Sequence, residues 1–184
     1  RCPVMAESRI FRAFLLVLVA LGLYGCDRAT KLAAEVGLEG GAAVPVAPGV
    51  LGDAVELRYV QNDDVAFSLF RLLGLPRSPD LLAAIAAVAT LAILVLAIVR
   101  LRSTGADASS SGERAALVGF ALVIGGALGN IVDRVVRGYV IDFIHVKGWP
   151  VFNVADVAVV VGIGLVAIAS LGGRKRDAPP ADTA

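Results

Sequence analysis

The sequence has 184 residues, of which 58% are hydrophobic and 18% are charged, with a formal net charge of +1 and a mean hydropathy of +0.81. A water-soluble domain of this length cannot cover so much apolar surface, so the composition predicts one integral membrane domain and no nucleic-acid partner. Two cysteines and one histidine argue against a disulfide framework, a thiolate metal site and most zinc sites.

Four apolar runs are each near the length that crosses a hydrocarbon core of about 30 Å. They cover about residues 10–26, 81–99, 115–132 and 151–173. Arg12 lies near the start of the first run, where a long side chain can reach the interface. Glycines at 125, 126 and 129 favour close helix packing in the third run. The predicted fold is an all-α membrane protein with four transmembrane helices.

The segment of about residues 28–80 differs from the apolar runs in its charges and its Gly and Pro residues. Polar and apolar residues alternate from Val55 to Val60, which predicts a half-buried strand. We expect a small β-containing extracytoplasmic element here, with Phe67, Leu69 and Phe70 dipping into the interface. Residues 1–176 then form a single membrane domain, residues 103–112 a flexible Ser/Gly link, and residues 177–184 a disordered tail.

Basic residues flank the apolar runs mainly at ends that share one side of the membrane if the four helices alternate in direction. They are Arg9, Arg12, Arg100, Arg102, Arg114, Arg174, Lys175 and Arg176. Short cytoplasmic loops carry an excess of Lys and Arg, so this side is predicted to be cytoplasmic, with both termini there. Arg134 and Arg137, near the opposite end of the third run, make this bias moderate.

Ionisable groups at membrane depth are costly and are therefore the first functional candidates. Asp27 and Lys31 have the i, i+4 spacing of a helical ion pair, and their simplest interpretation is an interfacial salt bridge that ends the first helix. Asn130 and Asp133 share one face of the third helix, beside Arg134. This second group predicts a polar network that fixes a helix end, in a structural or supporting role.

Asp142 and Asp156 have no cation beside them in the sequence, and Asn153 lies three residues before Asp156. Two carboxylates close together at low dielectric share a proton, so one can activate water while the other polarises a carbonyl. The residues alone leave a second interpretation equally open, in which both are helix-capping or interfacial aspartates. His145 is interpreted as an interfacial hydrogen-bonding residue.

The chain resembles the lipoprotein signal peptidases, the type II signal peptidases of bacteria, in four blocks that occur in the family's order. The two strongest are GGALGNIVDRVVRGYVIDFIHV at 125–146 and FNVAD at 152–156, which match the family's GN-x-x-DR, V-x-D-F and F-N-x-A-D elements. The weaker two are DRATK at 27–31, which matches D-x-x-x-K, and Gln61-Asn62 with Ala66-Phe67-Ser68, which matches N-x-G-A-A-F-S.

This resemblance implies an aspartyl endopeptidase whose catalytic residues are Asp142 and Asp156. It implies substrate-binding or supporting roles for Asp27, Lys31, Asn62, Asn130, Asp133, Arg134 and Asn153. The implied substrates are prolipoproteins with a diacylglyceryl cysteine, cut just before that cysteine near the extracytoplasmic face of the bacterial inner membrane, by an enzyme that needs no cofactor and for which a monomer suffices. Where the family commonly has Gly-Ala, this chain has Asp64-Val65, a departure that bears on substrate fit.

Two alternatives belong to other classes of protein. Leu23-Tyr24-Gly25-Cys26 resembles a lipobox, which would make the first run a signal peptide and the chain a lipoprotein. The intramembrane acids would also suit a small transporter or channel. Three further apolar runs oppose the first alternative, and the lack of visible internal repeats opposes the second.

Overall fold

The computed structural model describes residues 3–52, 54–63, 78–103 and 111–174. Several sequence-based predictions lie outside these residues: the interfacial Phe67, Leu69 and Phe70, the departure at Asp64-Val65, most of the Ser/Gly link and the C-terminal tail.

Four long helices dominate the described chain, and they confirm the four predicted runs. They are α1 (Pro3–Leu38), α3 (Pro79–Ser103), α4 (Ser111–Arg137) and α5 (Val154–Arg174). Each contains a stretch long and apolar enough to cross a membrane, and these stretches are Ile10–Leu38, Asp80–Arg102, Ser111–Arg137 and Val154–Leu171. The chain is therefore a multi-pass membrane protein.

Helix α4 lies at the centre, because α1, α3 and α5 all pack against it. Glycines on α4 make two of these contacts close. A Cβ at Gly125 would lie 2.5 Å from the carbonyl oxygen of Ala20 on α1, and one at Gly126 would lie 2.6 Å from that of Ala155 on α5. Backbones that approach this closely leave no room for a side chain, which confirms the packing role predicted for these glycines.

The end of α1 differs from the prediction. We expected the first helix to end at Cys26 and the β-containing segment to start near residue 28, but α1 continues without a break to Leu38. The charges of this stretch do not end the helix because Arg28 and Lys31 find acidic partners on α4. These ion pairs join two helices, so they cannot be predicted from the sequence of α1 alone.

A small antiparallel sheet lies where α1 and α4 end and α3 and α5 begin. Its strands, in the order β1-β2-β3, are β1 (Val44–Pro45), β2 (Val55–Asn62) and β3 (Val140–Val146), and a short helix α2 (Pro48–Leu51) joins the first two. This confirms a small β-containing element and the predicted strand from Val55. Strand β3 was not predicted; its Ile141 and Phe143 pack with Ala34 of α1 in an apolar cluster.

Candidate active site

Asp142 lies in β3, with only 2% of its surface exposed. The strand carries it between two amide side chains that satisfy both carboxylate oxygens. Asn62, at the end of β2, donates from Nδ2 to Oδ2 at 2.7 Å, and Asn153 donates from Nδ2 to Oδ1 at 2.7 Å. A buried carboxylate needs such donors, because its water is lost on folding.

Asp156 lies in the first turn of α5, where it takes part in a reciprocal cap. Its backbone N–H donates to Oδ1 of Asn153 at 3.0 Å, and the N–H of Asn153 donates to Oδ2 of Asp156 at 3.2 Å. This arrangement satisfies two amide groups that a helix start leaves without partners, so it accounts for the start of α5 at Val154. Asp156 itself is only partly buried.

Asn130 of α4 connects the two aspartates. It donates from Nδ2 to Oδ1 of Asp156 at 2.8 Å, and its Oδ1 accepts from Nδ2 of Asn153 at 3.2 Å and from Nζ of Lys31 at 2.8 Å. Because Asn153 also donates to Asp142, one continuous hydrogen-bond network joins both carboxylates. Lys31 fixes which end of the Asn130 amide faces Asp156, since an ammonium group can only donate.

An ionic cluster, buried except for Arg28, supports this network from α1. Lys31 lies 2.8 Å from Oδ2 of Asp27 and 2.9 Å from Oδ2 of Asp133, and Arg28 lies 2.6 Å from Oδ1 of Asp133. The other oxygen of Asp27 accepts the N–H of Ala155 at 3.1 Å. The two acids and two bases balance in charge, which is what makes their burial tolerable. Asp27 thereby fixes the first turn of α5, next to Asp156.

The electrostatics of Asp142 differ from those of an ordinary aspartate. Burial, and after it the negative charge of Asp156, raise the pKa of Asp142 from 3.8 to about 7, although hydrogen bonds from Asn62 and Asn153 oppose the rise. A carboxyl group with a pKa near neutrality, beside a second carboxylate, can hold a proton or release it at physiological pH.

Most residues singled out in the sequence come together here. Asp142, Asp156, Asn62, Asn130 and Asn153 form the hydrogen-bonded network. Asp27, Lys31 and Asp133 form the adjoining cluster. The predicted Asp27–Lys31 salt bridge exists, but it is fully buried and lies inside α1, not at its end. Arg134 donates to the carbonyl oxygen of Asn130 at 3.3 Å.

Sequence reasoning missed Arg28, Glu35 and Arg137. Arg28 pairs with Asp133, while Arg137 lies 2.5 Å from Oε1 of Glu35 on α1 and 3.6 Å from Oδ1 of Asp133. The i, i+3 spacing of Arg28 and Lys31 was a usable signal, since it places two cations on one face of a helix. His145 lies 3.0 Å from Glu56, which agrees with its interpretation as a hydrogen-bonding residue.

Four membrane-length helices and a polar site built around paired carboxylates define a polytopic membrane protein with an acidic site. The model of the signal peptidase (SPase) II family matches residues 19–172. The lipoprotein signal peptidase of Rhodococcus jostii is 35% identical over 90% of this chain and 77% of its own length. That of Pelotomaculum thermopropionicum is 36% identical over 86% of this chain and 91% of its own.

Solved structures agree with this result. A structure described as a bacterial membrane enzyme has a TM-score of 0.69 at 23% identity, over 91% of this chain and 93% of that one, which shows a shared fold. A second, with the same description, has a TM-score of 0.64 at 25% identity, over 85% and 92%. The chain belongs to the signal peptidase II family, a family of membrane aspartic peptidases.

Proposed function

We propose that this enzyme cleaves prolipoproteins just before a diacylglyceryl-modified cysteine, with Asp142 and Asp156 as its catalytic pair. One observation supports this most strongly: Asn130 and Asn153 hold the two carboxylates in a single hydrogen-bond network. Helix-capping or interfacial aspartates, the other interpretation of the sequence, would not need a shared set of amide donors. Membership of a family of lipoprotein signal peptidases supports the substrate class.

In the proposed reaction, one carboxylate of the pair takes a proton from a water molecule as the water oxygen attacks the scissile carbonyl carbon. The other, protonated, donates a hydrogen bond to the carbonyl oxygen. The proton taken from the water then passes from the first carboxyl group to the leaving amine as the C–N bond breaks, which returns the pair to its starting protonation state. The raised pKa of Asp142, about 7, suits a group that exchanges its proton near neutral pH. The pair shares its protons, so the pH profile reports macroscopic pKa values.

The proposed orientation places both termini in the cytoplasm and the site near the extracytoplasmic face of a bacterial inner membrane. The site lies at the sheet end of the helices, whereas Arg100, Arg102 and Arg114 lie at the opposite ends of α3 and α4. Excess positive charge favours the cytoplasmic side. All residues of the network belong to one chain, so a monomer is sufficient for the proposed activity.

The lipoprotein alternative conflicts with the packing of α1. Cleavage before Cys26 would remove Ala20, whose carbonyl oxygen lies against Gly125 of α4. The first membrane span would be lost with it. We therefore propose that α1 stays as a permanent helix of the enzyme.

The test uses a purified prolipoprotein peptide in two forms, with and without diacylglycerol on the cysteine thioether. We expect the enzyme in detergent to cleave the lipidated form, and mass spectrometry to find the lipidated cysteine as the new N-terminal residue. Equal cleavage of the two forms, or a cut at another bond, would contradict the proposed specificity. Transport by the protein in sealed proteoliposomes, without cleavage of the peptide, would favour the transporter alternative.

A further inference from the structure

The pairing of β2 with β3 is irregular at one point. Val55, Glu56 and Leu57 pair with Val146, His145 and Ile144, and the pairing resumes with Val60, Gln61 and Asn62 opposite Asp142, Ile141 and Val140. Arg58 and Tyr59 therefore lie opposite the single residue Phe143. Two residues opposite one constitute a β-bulge, a feature that re-aims side chains near active sites.

The bulge determines which side chain faces Asp142. Side chains alternate between the two faces of a strand, so residues 140 and 142 share a face, and so does the residue opposite 140. With the bulge, that residue is Asn62, which donates to Asp142 at 2.7 Å. If the register of Leu57 with Ile144 continued without a bulge, Gln61 would lie opposite Val140 and Asn62 would turn to the other face.

The first bulge residue, Arg58, has its side-chain contacts on the face away from Asp142, with two residues that pair before the bulge, so a regular ladder would keep these contacts. Arg58 bonds Oε1 of Glu56 through Nη2, which also lies 2.7 Å from Nδ1 of His145. That ring nitrogen is 3.0 Å from the same Glu56 oxygen, so it either accepts from Arg58 or donates to Glu56. The guanidinium of Arg58 also holds the pKa of Glu56 below its ordinary value.

The second bulge residue is anchored separately. The hydroxyl of Tyr59 accepts from Nε2 of Gln61 at 3.3 Å and lies 3.5 Å from the hydroxyl of Tyr139. Its ring joins the apolar cluster of Ile141 and Phe143. Burial, with the neighbouring hydroxyl, raises the pKa of Tyr59 to about 12, so the phenol remains a neutral donor and acceptor. Gln61 is thus held on the face opposite to Asn62.

We propose that Tyr59 is a positioning residue for the catalytic pair: its ring, packed in the apolar cluster of Ile141 and Phe143, fixes the bulge that directs Asn62 at Asp142. Without the bulge Tyr59 would lie opposite Asp142, on the other face of the sheet, and would leave that cluster. Tyr59 acts only through the register of β2. The inference rests on the proposed function, because it assigns the bulge to the geometry of that site.

Register can be measured independently of activity with paired cysteines. In a background with Cys2→Ala and Cys26→Ser, the pair Gln61→Cys with Ile141→Cys places two thiols directly opposite each other in the bulged register, within reach of a disulfide. The pair Val60→Cys with Ile141→Cys meets that condition only in a ladder without the bulge. We expect the first pair alone to cross-link in the otherwise unchanged enzyme.

Tyr59→Ser removes the ring that anchors the second bulge residue in the apolar cluster. We expect cross-linking to move from the 61/141 pair to the 60/141 pair, and kcat to fall about ten- to a hundredfold, the effect of losing one hydrogen bond to a charged group. The limb of the pH profile to which Asp142 contributes should also move to higher pH, because the Asn62 hydrogen bond lowers the pKa of Asp142. Asp156 and Lys31, the other charges that act on Asp142, are unchanged in this variant.

Two further variants test rescue. Tyr59→Phe keeps the ring in the apolar cluster and should keep both the register and the rate. Deleting Arg58 removes the extra residue, so a regular ladder then keeps Asn62 opposite Val140, and we expect activity within about threefold of the parent enzyme. Arg58→Met is the control and should leave the register unchanged, because Glu56 and His145 pair before the bulge.

An unchanged cross-linking pattern in Tyr59→Ser would overturn the proposal, and so would a changed pattern with undiminished kcat. If Tyr59→Ser does not fold, the deletion variant decides, since loss of its activity with the 61/141 cross-link intact would also overturn the proposal. The cross-linking result does not depend on which residues are catalytic. Failure of the proposed function would instead appear as cleavage that survives removal of Asp142.

Discussion

Gly129 is the position at which the smallest substitution should do the most damage. A Cβ at this position on α4 would overlap Oδ2 of Asp27 and lie 3.0 Å from its Cγ. Gly129→Ala must therefore push away a fully buried carboxylate that pairs with Lys31 and accepts the N–H of Ala155. The first turn of α5, which carries Asp156, would lose its contact with α1.

The expected change in the free energy of unfolding of Gly129→Ala is the sum of opposing effects. Overpacking costs about 1–3 kcal/mol, and separating a buried ion pair costs about 3–5 kcal/mol if it is complete. Alanine stabilises a helix by about 1 kcal/mol relative to glycine, because its helix propensity is higher. With partial separation of the pair, we expect a net loss of about 2–4 kcal/mol, which for a chain of this size lowers Tm by roughly 4–16 °C.

The assay is thermal unfolding in detergent, together with the rate of peptide cleavage. Gly164→Ala on α5 is the matched control, because a Cβ there meets nothing within 4 Å. We expect Gly164→Ala to be neutral or slightly stabilising and Gly129→Ala to lose both stability and rate. If the two variants had equal Tm and equal activity, the close contact between Gly129 and Asp27 would be refuted.

Three further predictions concern other parts of the molecule. Gly162→Leu should lower Tm, because a Cβ at Gly162 already lies 2.6 Å from the Gly119 carbonyl oxygen, whereas Gly164→Leu should not; equal effects would contradict the packing of α5 on α4. Asp133→Asn should cost about 2–3 kcal/mol in a denaturant titration, since it takes one of two acidic partners from the buried Lys31 and the acidic partner of the partly exposed Arg28, and a loss below about 1 kcal/mol would contradict this. The folded pKa of Asp142, about 7, lies above its ordinary 3.8, so the folded state binds this proton more tightly and the free energy of unfolding should fall as pH rises from about 4 to about 7. Asp142→Asn should remove that slope, although its single amide oxygen can accept only one of the hydrogen bonds that Asn62 and Asn153 donate; an unchanged slope would assign the titration to another group.

The membrane helices could be predicted from the sequence because their signal is local. A run of apolar residues identifies a span whatever it packs against, and four such runs appear as α1, α3, α4 and α5. The end of α1 could not be predicted. Asp27, Arg28 and Lys31 look like the polar end of a helix, and only their partners on α4 show that the helix continues.

In the candidate site, too, some features could be predicted from the sequence and others could not. The identities of Asp142 and Asp156 came from sequence blocks, but the roles of Asn62 and Asn153 as donors to Asp142 depend on side chains brought together from β2 and the start of α5. The bulge at Arg58 was not predictable either. Alternation from Val55 to Arg58 predicts a regular strand, and the adjacent apolar residues Tyr59 and Val60 break it without distinguishing a bulge from a strand end. The extra residue becomes visible only against its partner strand.

Rates of cleavage by single aspartate variants test the central claim most directly. Asp142→Asn and Asp156→Asn keep the side-chain shape but remove the ionisable group, and Asp80→Asn, an exposed position at the start of α3, is the control. We would measure single-turnover cleavage of the lipidated peptide by each purified variant after confirming by Tm that it is folded. The account predicts near-complete loss in each of the first two variants and an unchanged rate in the third. Robust cleavage by folded Asp142→Asn or Asp156→Asn would contradict it.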